Sequence, residues 1–294
     1  MSSSSSRASS SVAPWFIGVV VLQLAHLFAV STSRPEHLAF IHDIAGWCSG
    51  LLAVAGTFAA ASAFGSGDYL RRVWGGLTAG ALLSLMSAAM RSYWLHTVPD
   101  VPFTASPLLP FRMVVVVLAN VATTFALVLL ARTYRQSGLQ PPSSPRASAL
   151  WAVTALAALA VGVPALVTEA RNLVSGENPT ASTVISLAST LADMTIIFMV
   201  APILRVAYML RGGKLAWVWW AMGLSGATWL LYDARVWLAP LLPGGEALGA
   251  ELLRSLRTSG LVLLGLAGWL QRSALGPQKA EASEPSLHTS AGTP

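Results

Sequence analysis

Two apolar runs separated by the short basic stretch Arg211-Gly212-Gly213-Lys214 fill residues 191–235 and limit what the chain can become more than any other segment. At about 1.5 Å of rise per residue, each run is long enough to cross a hydrocarbon core of about 30 Å. Paired glycines flanked by cations suit a tight turn at the headgroup level. The segment therefore reads as a transmembrane helical hairpin. Its two acids, Asp193 and Asp233, both fall toward the end opposite the basic turn, an asymmetry that recurs along the chain.

The remaining composition fits a bundle around such a hairpin. With 54% hydrophobic residues, 10% charged residues and a mean hydropathy of +0.63, 294 residues could not hide their apolar surface in a soluble fold. The predicted class is all-α: a polytopic integral membrane helical bundle of about eight transmembrane helices, with the lipid bilayer as its immediate partner. A formal charge of +6 would suggest nucleic acid in a soluble protein, but these cations stand singly at helix ends. The charge is read as topology, and no nucleic-acid partner is expected. The lone Cys48 rules out an intramolecular disulfide and a Cys-only metal site, and its apolar setting predicts an inert core thiol.

Taken in order, residues 1–12 are a serine-rich lead expected to be disordered. Residues 13–134 form a first half with spans at about 13–30, 41–64, 73–95 and 111–131. The first span also has the small residues of a cleavable signal sequence, although its length, Gln23 and His26 argue against cleavage. The proline-rich stretch 96–110 is predicted to be an ordered or partly inserted loop. Residues 135–148 read as a cytoplasmic linker, and residues 149–272 as a second half of four spans. The last span is the least regular, because Glu251, Arg254 and Arg257 precede an apolar run of only 260–270; an amphipathic start at the outer surface is expected. Residues 273–294 read as a disordered cytoplasmic tail without an output domain.

Placing both termini and the turns at 65–72, 132–147 and 211–214 on one side gathers Arg7, Arg71, Arg72, Arg132, Arg135, Arg146, Arg205, Arg211, Lys214, Arg272 and Lys279 there. Only Asp68, Glu281 and Glu284 oppose them, so the positive-inside rule makes that side cytoplasmic, in a cell (inner) membrane. A faint internal repeat pairs Trp15 with Trp151, Asp43 with Asp193, Trp74 with Trp217, Trp94 with Trp237 and Arg112 with Arg254 at similar offsets. This suggests a four-plus-four duplication with both copies in the same orientation, a parallel repeat about the membrane normal.

Polar groups in hydrocarbon cost several kcal/mol unless paired or wet, so their depth is informative. Gln23, His26, Asp43, Arg91, Asn120, Asp193, Asp233 and Arg235 all project to the outer halves of their spans. From these, the candidate ligand-binding residues of an outward-facing cavity are His26, Asp43, Arg91, Asn120, Asp193 and Asp233. The competing interpretation is a set of separate stabilising pairs, and the repeat makes Arg91 the expected counter-charge of Asp233. His26, His37, His42 and His96 gather near Glu36, Asp43 and Asp100, a set that solvated loop histidines, a zinc or copper site, or a pH sensor would each explain. A b-type haem needs two facing embedded imidazoles, and only His26 is clearly embedded.

Neither lysine, Lys214 or Lys279, is embedded, which excludes a retinal Schiff base. No Walker loop, GxSxG elbow or CxxC pair occurs, so no catalytic residues are assigned and the cofactor is left unknown. Small residues spaced four apart, Gly46 with Gly50 and Gly76 with Gly80, predict close helix packing and leave a homodimer face open. Trp217, Trp219 and Trp220 suit an aromatic belt, with a stacking surface for a quinone as the alternative.

Asp193, Pro202-Ile203-Leu204-Arg205, Arg211 to Trp217, and Trp229-Leu230-Leu231-Tyr232-Asp233-Ala234 together resemble the multi-pass sensory membrane modules found upstream of bacterial histidine kinases and diguanylate cyclases. The resemblance covers about forty-five residues. It implies a stand-alone sensor or ligand-binding membrane protein that passes its signal to a separate membrane or cytoplasmic partner. A small-solute or ion transporter and a membrane redox protein binding haem or quinone are the alternatives.

Overall fold

A computed structural model describes residues 12–136, 145–175 and 213–275, with scattered helical positions from 183 to 202. Among the described residues every regular element is helical. Helices α1 (Ala13–Thr32), α2 (Pro35–Ser62), α3 (Tyr69–Thr97), α4 (Leu109–Gln136) and α5 (Pro145–Ser175) lead to α6 (Lys214–Asp233) and the short α7 (Arg235–Leu238). After a 3-10 turn at Ala239–Leu241 come α8 (Gly245–Arg254) and α9 (Leu256–Leu275). Five helices, α1 to α5, are long and apolar enough to cross a membrane.

Local chemistry explains the helix starts. Proline stands in the first turn of α1 and α2, where its missing N–H costs nothing. Asp68 caps α3 by accepting a hydrogen bond from the Leu70 N–H at 2.8 Å. Gly244, at φ 94°, supplies the left-handed residue before α8. Several ends run past the expected limits: α4 and α5 both extend into the predicted linker, and α5 continues through Pro164 to Ser175. The proline-rich connection is ordered, with a 3-10 turn at Phe103–Ala105 tied back by a Trp94 Nε1 hydrogen bond to the Val101 carbonyl at 3.0 Å.

The main packing order is α4, α3, α2, α9, α6, each in contact with the next along its length. The α2–α9 contact is the tightest. A Cβ on Gly56, Gly265 or Gly268 would overlap backbone atoms of the opposite helix, so these helices touch backbone to backbone. In α3, Gly76 lies against Ala126 and Gly80 against Thr123 of α4. Gly46, by contrast, has nothing within 4 Å of the position a methyl group would take. Helix α1 lies along the bundle by one narrow seam: Val12, Phe16, Val19, Gln23, His26 and Val30 recur at three- and four-residue spacing. Ile17, Val20, Val21, Leu24 and Phe28 face outward and are more than half exposed.

The bundle is chemically unequal at its two ends. Where α2 and α9 finish and α3 and α6 begin, Ala60, Val73, Trp74, Leu77, Leu127, Val218, Met222 and Leu270 form a dry cluster. There the Tyr69 hydroxyl donates to the Leu129 carbonyl at 3.0 Å. Polar side chains collect at the other end. Cys48 is exposed beside Ile44 and Leu51 on the outer face of α2, not in the core as its apolar neighbours suggested. An apolar run on a lipid-compatible helix face looks the same in sequence as one in a core.

Candidate functional site

Successive residues on an α-helix diverge by about 100°, so His42 and Asp43 near the start of α2 serve different neighbours. Both are buried. Asp43 turns toward α3, where its Oδ1 lies 3.3 Å from Arg91 Nη1 and its Oδ2 3.3 Å from His96 Nε2. His42 turns the other way. Its Nε2 lies 2.8 Å from Glu251 Oε2 of α8, and its ring meets His26 of α1 edge to face, with centroids 5.2 Å apart at 68°. Both histidine–carboxylate contacts are at ion-pair distance without the alignment of a good hydrogen bond, and both ring nitrogens of His26 are buried without a hydrogen-bond partner among the described residues.

These contacts form one wall of a cleft at the end of the bundle where α3 finishes and α2, α4 and α9 begin. It is an open cleft with a cavity volume of about 40 Å³, lined by His42, Asp43, Gly46, Ala88, Ser92, Thr258, Leu261 and four arginines. Arg91 comes from α3, Arg112 from α4, Arg254 from α8 and Arg257 from α9. Arg254 also lies 3.4 Å from Glu251. Arg112 has a different environment: its Nε donates to the Ser87 carbonyl at 3.3 Å, and its guanidinium sits 5.3 Å over the Phe103 ring. That places the proline-rich connection beside the cleft, with a cation–π contact at its edge.

The Glu251 carboxyl titrates below its ordinary range. The His42 contact is the foremost cause and Arg254 adds to it, while partial burial opposes both. Behind Glu251 the chain bends at Ser255, and α1 docks at this bend. Gln23 Nε2 donates to Ser255 Oγ at 2.7 Å, and Ser259 Oγ donates to Gln23 Oε1. The side-chain amide thus spans the junction of α8 and α9.

Of the residues predicted for the cavity, His26, Asp43 and Arg91 come together here, His26 one layer behind the cleft. Asn120 is half-buried farther along α4 and does not line the cleft. Asp193 lies outside the described residues. Asp233 ends α6, and its side chain also lies outside them. Among the described residues the counter-charge of Arg91 is Asp43, and the expected pairing of Arg91 with Asp233 lies outside them. Arg235 lies 4.2 Å over the Tyr232 ring and donates to the Tyr232 carbonyl.

The cavity set read from the sequence omitted Arg112, Glu251, Arg254 and Arg257, and His42 entered only among the histidines read as loop residues, a metal site or a pH sensor. Two signals were present. The pairing at similar offsets that suggested a repeat matches Arg112 with Arg254, and Glu251, Arg254 and Arg257 recur every three residues. Among the described residues no group of three His, Cys, Asp or Glu side chains could hold a metal ion. The edge-on contact of His26 with His42 leaves no room for a planar macrocycle between the rings. Comparison with protein-family models, curated proteins and solved structures finds no match.

Proposed function

We propose that the chain is a multi-pass membrane protein with both termini cytoplasmic, whose cleft opens outward and binds a small ligand as a stand-alone sensor or ligand-binding protein acting through a partner. The observation that carries this reading is the convergence of four arginines, His42 and Asp43 on one open cleft at one end of a bundle with five membrane-length apolar helices. Charge held among such helices is costly, which is why it marks functional sites.

The four-plus-four duplication is supported by two features. The expected equivalents α3–α4 and α6–α9 are both packed pairs, and the equivalent residues Arg112 and Arg254 line the same cleft. Binding is favoured over transport by the dry cluster around Val73, Trp74, Leu77 and Val218. A transport path would need polar groups to continue toward that end.

The test is cysteine labelling in intact cells, in a Cys48→Ala background. Ala88→Cys in the cleft should react with a membrane-impermeant reagent, while Gln140→Cys and Ala280→Cys should be protected. Labelling of position 280 with protection of position 88 would invert the orientation and remove the outward-facing site.

A further inference from the structure

The cleft carries a charge imbalance that points to its ligand. Asp43 is engaged by Arg91 and His96, and Glu251 by His42 and Arg254. Arg112 and Arg257 line the same space without a carboxylate partner among the described residues. Among the described residues two guanidinium charges therefore remain over after the carboxylates are counted. Like charges held together in a cleft of reduced dielectric repel one another, so the cluster is electrostatically unfavourable by itself and an entering anion relieves it. A guanidinium offers a rigid planar fork of donors that matches oxyanions bidentately. A phosphate group carries about −1.5 to −2 charges at neutral pH, close to the imbalance, and presents three acceptor oxygens. A carboxylate would leave one cation unopposed.

Building on the outward-facing cleft, we infer that its ligand carries a phosphate group, held chiefly by Arg112 and Arg257, with Arg91 and Arg254 completing the cradle and Ser92 and Thr258 supplying hydroxyl donors. Ser92 Oγ is buried and lacks a hydrogen-bond partner among the described residues, as a donor reserved for a ligand would be. Asp43 and Glu251 then lower the mutual repulsion of the cluster in the absence of ligand. A soluble phosphate and the phosphomonoester headgroup of phosphatidic acid would present the same chemistry to the arginines.

The experiment uses the full chain in maltoside micelles and follows thermal unfolding by tryptophan fluorescence. Inorganic phosphate is titrated in one arm and phosphatidic acid in the other, each against chloride at matched ionic strength. At a hundredfold excess over Kd, a bound phosphate should raise the midpoint by roughly 4 to 8 °C. The shift should vanish in Arg112→Gln/Arg257→Gln and persist in the control Arg72→Gln, which alters an exposed residue in the first turn of α3. A shift with inorganic phosphate identifies a soluble source, and a shift with the lipid alone identifies a headgroup. No shift beyond chloride in either arm overturns the inference.

Protection of Ala88→Cys from labelling by either phosphate source gives a second readout that does not depend on the double variant folding. Labelling without protection would reject phosphate and keep the cleft. An unreactive Ala88→Cys would reject the outward-facing cleft itself.

Discussion

Asp43→Ala tests the electrostatic logic of the cleft most directly. The carboxylate is buried, with only 10% of its side chain exposed, and Arg91 and His96 each approach it at 3.3 Å. At that distance, with an effective dielectric of 20, one unit-charge pair is worth about 5 kcal/mol before desolvation. Arg91 is 28% exposed, so solvent screening brings the expected loss to about 3 kcal/mol, the lower end for breaking a buried pair. A loss of that size should lower the midpoint by roughly 6 °C or more. Unfolding in maltoside micelles, followed by tryptophan fluorescence, would measure it in Asp43→Ala, Arg91→Ala and the double variant. The double variant should lose less than the sum of the singles by at least about 1 kcal/mol. Asp43→Asn should be destabilised yet bind phosphate more tightly, because it removes the negative charge opposing the ligand while keeping the shape. Strict additivity of Asp43→Ala with Arg91→Ala would refute the pairing. Weaker phosphate binding by Asp43→Asn would refute the charge-balance argument.

The remaining predictions concern packing, docking and pH. Gly268→Val should cost about 3 kcal/mol or prevent folding, since the new side chain meets backbone and not a movable side chain. Gly46→Ala, with open space around it, should be neutral or stabilising by up to about 1 kcal/mol in the same assay. Gln23→Leu should lose about 1 to 3 kcal/mol, because Ser255 and Ser259 are left without their cross-helix partner, and limited proteolysis should then release α1 first. Glu251 has a lowered folded-state pKa, so its contribution is present above its unfolded value near 4.5 and is lost as pH falls through the folded value. The stability gap between the native chain and Glu251→Gln should therefore close as pH falls below about 4.5. A gap that persists undiminished well below that pH would refute the lowered carboxyl pKa.

The helical class and the positions of the long apolar helices could be read from the sequence because runs of that length and hydropathy leave few alternatives. The kink at Ser255 was partly visible, since Glu251, Arg254 and Arg257 interrupt the apolar pattern. Asp43 and Arg91 could be picked out because charge among apolar residues stands out by itself. Their pairing could not, because it depends on which helices are neighbours: α3 lies beside α2, so Arg91 meets Asp43. Arg112 was hidden for a related reason. At a helix start it looks like one more boundary cation, and only the fold brings it beside Arg257, an arginine from the other end of the chain. His42 resembled a loop histidine in sequence, yet α2 begins at Pro35 and carries it into a buried position against α1 and α8.

The backbone contact between α2 and α9 also sets the mechanics of the cleft. Helices separated by side chains can slide a little as rotamers yield, but Gly56, Gly265 and Gly268 leave nothing compliant between the two main chains. Either helix would have to lift away from the other before it could shift along it, breaking the whole seam at once. His42 and Asp43 on α2 and Arg257 on α9 therefore ride on one stiff frame, and any movement that follows ligand entry falls to the walls bearing Arg91, Arg112 and Arg254. Of these, α8 is the short arm: it ends at Ser255, which Gln23 grips, so its displacement would be felt first by α1, which one narrow seam holds to the bundle.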